Sequence, residues 1–247
     1  MSEYRWPTKG LSENAVDALA LEHGLFVSPG GVELIGEELS DERVPLAEID
    51  IAFARLNPTL PIENVCSRLD NYEPQNGSQE ALISMAHKLV NYMNPSRLAG
   101  FVACGAAGLG KTHVSVGAAK AAMLTGQKPF YVSVPNRTFS SVEDINRAAR
   151  ADIVIIDDLN TEFGGAFGAK ETQELLSHMH NRGGGKLMIT SNAPDFKAFL
   201  DTILLPRNPI DRVRVQDRIA ASLVGLNILG ESFRSQSAVG QKPWWEE

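Results

Sequence analysis

The hydrophobic positions of this chain fall into two patterns that alternate along its length. Compact apolar runs of strand length occur at Leu98 to Gly105, Lys128 to Val134, Asp152 to Asp158, Lys186 to Asn192 and Gly225 to Ser232. Runs that are apolar at consecutive positions, rather than at every second one, fit strands covered on both faces, as in a parallel sheet. Between and before them lie stretches with helical spacing. Gln79 to Tyr92 puts Leu82, Met85, Ala86 and Leu89 on one face and ends at Asn94-Pro95, while Val114 to Thr125 is alanine-rich and ends at Gly126. Val142 to Arg150, Glu171 to His180 and a stretch from Pro194 to about Thr202 continue the alternation. This pattern predicts an α/β domain with a parallel five-stranded sheet flanked by helices.

The N-terminal part is patterned differently. Ser12 to Glu22 reads as a short amphipathic helix, Leu25 to Ile35 as two strands around a Pro-Gly-Gly turn, and Leu46 to Leu56 as a second helix. Residues 1–57 are therefore expected to form a small α+β or helical unit, either a packing appendage or a module that docks a partner. Residues 58–76, with Pro58, Pro61 and Pro74, read as an irregular linker, residues 77–235 as the main domain and residues 236–247 as a flexible polar tail. Trp6, Trp244 and Trp245 all lie at the chain ends.

Composition narrows the class. At 247 residues the chain has room for one α/β domain and a small appendage, and 43% hydrophobic with 21% charged residues is ordinary for a soluble protein. No apolar run reaches membrane-spanning length, and the acidic, proline-containing start is unlike a signal peptide, so a cytoplasmic protein without a membrane partner is expected. Cys66 and Cys104 sit in different contexts and suggest neither a disulfide framework nor a metal cluster. His178 and His180 fall on different helix faces and make no metal pair. A net charge of −7 argues against coating nucleic acid by charge alone. Against that background Arg207, Arg212, Arg214 and Arg218 concentrate positive charge locally, as a solvated face or as a surface that meets anions through the guanidinium fork.

The chemistry concentrates at the first strand's end. Gly105, Ala106, Ala107, Gly108, Leu109, Gly110, Lys111, Thr112 and His113 follow it directly and contain the full phosphate-loop spacing. Glycines let successive N–H groups point at phosphate oxygens, Lys111 reaches the outer phosphates, Thr112 is left to ligate magnesium, and the following helix adds its positive end. Asp157 and Asp158 arrive at the end of another strand, where Asp157 would join the magnesium shell and Asp158 would stand near an attacking water. Asn192, at the end of a third, would hydrogen-bond the terminal phosphate and that water. Phe163 to Gly168 is a glycine-rich loop with two phenylalanines, either tucked onto the domain or stacking on bases.

In order and spacing, GAAGLGKTH, IVIIDDL, MITSN and DRIAASLVGLNILGESFR resemble the AAA+ ATPases of the DnaC/IstB type, helicase loaders and their transposition relatives. The resemblance covers roughly Asp70 to Ser235. It implies a P-loop NTPase of AAA+ type with a reduced lid, binding ATP and Mg2+. Gly105 to Thr112 take the position of Walker A, Asp157 and Asp158 of Walker B, and Asn192 of the sensor that reads the γ-phosphate. Arg218 resembles the arginine that reaches a neighbouring subunit's nucleotide, with Arg212 as its competitor, and Arg234 resembles the second sensor. Asp158 stands where many AAA+ proteins carry glutamate, which implies slow hydrolysis or help from Glu162. The resemblance further implies a loader that binds a replicative helicase and single-stranded DNA and self-associates through Arg218 or Arg212. An IstB-like transposition helper is the alternative, and a small-molecule P-loop kinase a third.

Overall fold

The computed structural model describes residues 25–28, 31–34, 48–57, 59–92, 94, 97–134, 147–159, 174–181, 184–203 and 217–233. Strands β1 (Leu25–Ser28) and β2 (Gly31–Leu34) pair antiparallel, with Leu25 opposite Leu34. They are followed by α1 (Glu48–Leu56), a 3₁₀ turn (Ile62–Asn64), α2 (Gly77–Val90), β3 (Leu98–Cys104) and α3 (Lys111–Met123). Then come β4 (Pro129–Ser133), β5 (Ile153–Asp157), β6 (Gly185–Ser191), α4 (Phe196–Ile203) and β7 (Leu223–Asn227). Residues 147–150, 174–181 and 217–222 are also helical.

The main sheet has five strands in the order β4-β5-β6-β3-β7, all parallel. Because successive strand side chains point to opposite faces, the consecutive apolar runs split into two cores. Phe101, Ala103, Ile153, Ile155 and Met188 face α2 and α3 on one side. Val102, Val154, Ile156, Leu187 and Ile189 face Leu175, Met179, Phe199 and Ile219 on the other. The layout puts the C-terminal ends of β3, β5 and β6 side by side at one sheet edge, where ligands of open α/β sheets bind.

Three expectations shift. The last strand is Leu223–Asn227 rather than Gly225 to Ser232, since the register from Gly100 opposite Leu223 to Cys104 opposite Asn227 uses up β3. Residues 59–76 are irregular apart from the 3₁₀ turn, yet they are packed rather than loose: Leu60, Val65 and Tyr72 are buried in the α2–α3 core together with Ile51, Phe53 and Ala54 of α1. The boundary expected at residue 57 therefore does not separate α1 from the main domain.

An ion pair fastens this junction. Lys120, 2% exposed on α3, donates to Asp50 Oδ1 of α1 at 2.7 Å, to Ser67 O at 2.9 Å and to Val65 O. Arg68 completes the cluster, its Nη2 lying 2.9 Å from Asp50 Oδ2. Burial pulls the Lys120 pKa down and Asp50 opposes that shift. Among the described residues, no helix is long and apolar enough to cross a membrane. The Ser12 to Glu22 helix, the loop from Phe163 to Gly168, Glu162, Arg207, Arg212, Arg214, Arg234, the three tryptophans and the tail lie outside the described residues.

Candidate functional site

The site starts where β3 runs out. The chain turns through residues 105–110 and enters α3 at Lys111, three residues earlier than the expected helix start. Two glycines in this turn are dictated by close neighbours as well as by backbone angle. Gly108 has φ 78° and a Cβ there would lie 2.0 Å from Ser232 Oγ; Gly110 has φ 80° and its Cβ would lie 2.3 Å from the Tyr72 ring. Further bonds brace the loop from both sides: Phe233 N donates to Gly108 O at 2.9 Å, and the Tyr72 hydroxyl donates to Leu109 O at 3.2 Å. No side chain caps the N terminus of α3, so its first turn presents main-chain N–H groups to the space in front of the loop.

That space is a cavity of about 830 Å³ bordered by the phosphate-loop residues, Asp157, Asp158, Thr190 and Asn192, with Asn71 and Tyr72 on its other wall. Lys111, 6% exposed, extends its ammonium to Gly105 O at 2.8 Å, Ala106 O at 2.6 Å and Asn192 Oδ1 at 3.2 Å. The amide of Asn192 spans the site, because its Nδ2 donates to Asp158 Oδ1 at 2.8 Å. Thr112 Oγ1 donates to Asp157 Oδ1 at 2.7 Å. A hydroxyl beside a carboxylate is a hard-oxygen pair suited to magnesium, which takes one or two protein ligands and completes its shell with phosphate and water. The described residues contain no group of three or more His, Cys, Asp or Glu side chains placed to hold a metal ion.

Structures already known share this arrangement of sheet, loop and helices. DnaI superposes with a TM-score of 0.57 at 17% identity, covering 70% of this chain and 93% of that one. A putative primosome component from Streptococcus pyogenes serotype M3 gives 0.54 at 19% identity over 71% of this chain and 97% of its own. Domain III of the Thermotoga maritima replication initiation protein DnaA gives 0.50 at 14% identity, over 72% and 77%. The chain has the AAA+ fold. No protein-family model and no curated protein matches the sequence.

The structure gathers Lys111, Thr112, Asp157, Asp158 and Asn192 around one cavity. Arg218 lies apart, on the helical residues 217–222, where its Nη1 donates to Ser177 Oγ at 2.6 Å. Asp158 departs from the strand with φ 55°, a left-handed conformation that costs a non-glycine residue energy even though aspartate tolerates it better than most. The site also contains groups that the sequence did not single out. Tyr131 donates to Asp157 Oδ2 at 2.7 Å and Thr190 to Asp157 Oδ1 at 2.7 Å. Burial first, then the Asp157 charge, holds the Tyr131 phenol far above its ordinary pKa, so it stays a donor. Thr190 belongs to the polar triplet at the end of β6, which was the available signal; the role of Tyr131 depends on strand register and had none.

His113 lines the cavity, and its Nε2 is engaged by the protein itself. Its Nε2 lies 3.0 Å from Arg68 O and 2.9 Å from Asn71 Oδ1. Asn71 Oδ1 also accepts from Arg68 N while Asn71 Nδ2 donates to Cys66 O, so both partners of His113 are acceptors and Nε2 carries the proton. His113 thus ties α3 to the segment holding Tyr72, whose ring centroid is 5.4 Å away. Burial lowers the His113 pKa below its ordinary 6.5. The unfolded chain therefore takes up a proton first as pH falls, and the stability His113 contributes, complete above the unfolded pKa, is lost as pH falls through the folded one. The stability lost between pH 7.5 and 5.5, measured by urea denaturation, should be larger for the native chain than for His113→Gln. Cys66 and Cys104 are free thiols, and burial pushes Cys104 up to about 12, which leaves it unreactive at neutral pH.

Proposed function

We propose that this chain is an ATP-switched loader of a replicative helicase. The observation that carries the reading is the convergence of loop, acids and Asn192 on one cavity, in a fold shared with DnaI, a primosome component and a DnaA domain. In this reading the triphosphate lies along residues 105–112, its oxygens met by main-chain N–H groups and by Lys111. Thr112 and Asp157 would hold Mg2+, which supplies charge neutralisation for the phosphates. Lys111 exchanges its bonds to Gly105 O, Ala106 O and Asn192 for phosphate oxygens. Asn192 is then released to reach the terminal phosphate and the water, which Asp158 orients and whose proton it accepts.

Arg218 does not line its own chain's cavity, which supports reading it as the arginine supplied to the next protomer. Hydrolysis would then need assembly, so that nucleotide state sets both self-association and the grip on single-stranded DNA. Affinity purification of the full chain from its source cell, with ATP and with ADP, tests the assignment. Replicative helicase subunits should be recovered in a nucleotide-dependent way, and single-stranded DNA should raise ATP turnover. Recovery of a transposase instead would move the protein to transposition.

A further inference from the structure

The hydrogen bonds behind the two acids give a specific task to a residue that the loop and acid motifs leave out. Thr190 has one hydroxyl proton, and Asp157 Oδ1, an acceptor only, takes it at 2.7 Å. The lone pairs of Thr190 Oγ1 accept the main-chain N–H of Asp158 at 2.8 Å. The Thr190 carbonyl accepts from Leu159 N at 2.9 Å. One side chain therefore bonds both members of the pair, and one residue of β6 captures the chain as it leaves β5.

The turn at Asp158 explains what this capture accomplishes. Asp158 leaves the strand with φ 55°, outside the extended region, and its carboxylate accepts from Asn192 Nδ2 at 2.8 Å. An unfavourable backbone angle persists only where surrounding bonds over-determine it. Here the bond from Asp158 N to Thr190 supplies that determination from the side chain. Tyr131 provides a built-in comparison: its hydroxyl bonds Asp157 Oδ2 at 2.7 Å, whereas the hydroxyl of Thr190 bonds Asp157 and the Asp158 main chain together.

We infer that Thr190 is the positioning residue of this site, aiming Asp157 at the metal position and Asp158 at the attacking water through one hydroxyl. The inference rests on the proposed ATPase reading. It explains how an acid shorter by one methylene than glutamate can be directed: the turn itself, not side-chain reach, sets the direction of Asp158.

The test uses the full chain with ATP and Mg2+. Thr190→Val removes the hydroxyl while keeping volume and β-branching. It should lower both kcat and the gain in ATP affinity that Mg2+ confers by about 10- to 100-fold, the usual effect of losing a partner behind a metal ligand. ATP affinity in EDTA should stay within about twofold of the native value, because the residues of the loop are untouched. Thr190→Ser should restore both quantities. Tyr131→Phe should lower the Mg2+ gain and leave kcat at saturating Mg2+ closer to the native value, since the Asp158 turn is intact. Should the valine variant fail to fold, Thr190→Ala removes the same hydroxyl without adding volume.

A folded Thr190→Val or Thr190→Ala variant with native kcat and native Mg2+ gain overturns the inference and leaves the ATPase reading standing. Equal losses in Thr190→Ser also overturn it, because packing would then be the cause. A native chain that fails to bind ATP at all removes the ATPase reading, and the inference with it.

Discussion

Lys111→Ala is expected to lower ATP affinity by roughly 30- to 4000-fold without unfolding the protein. Lys111 is 6% exposed, and its ammonium's present partners are Gly105 O, Ala106 O and Asn192 Oδ1. These are the groups that hold it aimed along the loop. Truncating one member of a buried, hydrogen-bonded charge pair costs about 2–5 kcal/mol of binding, which gives that range. The fold should survive, because Ala106 is exposed and its carbonyl can turn to water, while Leu109, Tyr72 and Phe233 continue to brace the loop. Calorimetric titration with ATP reads the affinity and thermal unfolding reads the fold. Native affinity in a folded variant would remove the phosphate site and every role assigned around it.

The second large effect lies away from the cavity. Asp50→Ala should destabilise the chain by about 3–5 kcal/mol, because it leaves the Lys120 ammonium buried with no carboxylate. The Asp50 side chain is fully buried and Lys120 is 2% exposed, so solvent cannot replace the lost partner without opening the junction. For a chain of this size the loss corresponds to a fall in melting temperature on the order of 10 °C. Adding Lys120→Met to Asp50→Ala should recover part of it, since a buried pair replaced by apolar groups is much less costly than a buried single charge. Recovery stays partial because Val65 O and Ser67 O lose their donor as well. A melting temperature within about 2 °C of the native value in Asp50→Ala would show that α1 does not depend on this anchor.

These predictions divide along what short-range pattern reveals. The loop at residues 105–112 was legible because its pattern lies in consecutive residues, with glycine spacing and Lys111-Thr112 directly behind it. Asp157, Asp158 and Asn192 were legible as polar groups closing apolar runs, the one place a parallel strand offers them to a ligand. Thr190 stood in the same triplet as Asn192, yet only the pairing of Ile156 with Ile189 brings it level with Asp157. Lys120 was not singled out in the alanine-rich stretch from Val114 to Thr125; that helix is buried nearly all round, with Asp50 lying 70 positions earlier in the chain. Prolines at 58, 61 and 74 suggested a linker, although a few anchors such as Leu60, Val65 and Tyr72 suffice to pack an irregular segment.

By itself, then, the amino-acid sequence determined the alternation of buried strands and helices and the loop that would receive a phosphate. Both depend on hydrophobic period and backbone freedom, which act between near neighbours in the chain. Tertiary structure alone decided which hydroxyls stand behind Asp157, how Asp158 is turned toward Asn192, that Arg218 stays away from its own cavity, and that α1 shares the domain's core. Each of these depends on strand register or on the pairing of buried charge across long sequence separations, quantities that come into being only when the sheet assembles.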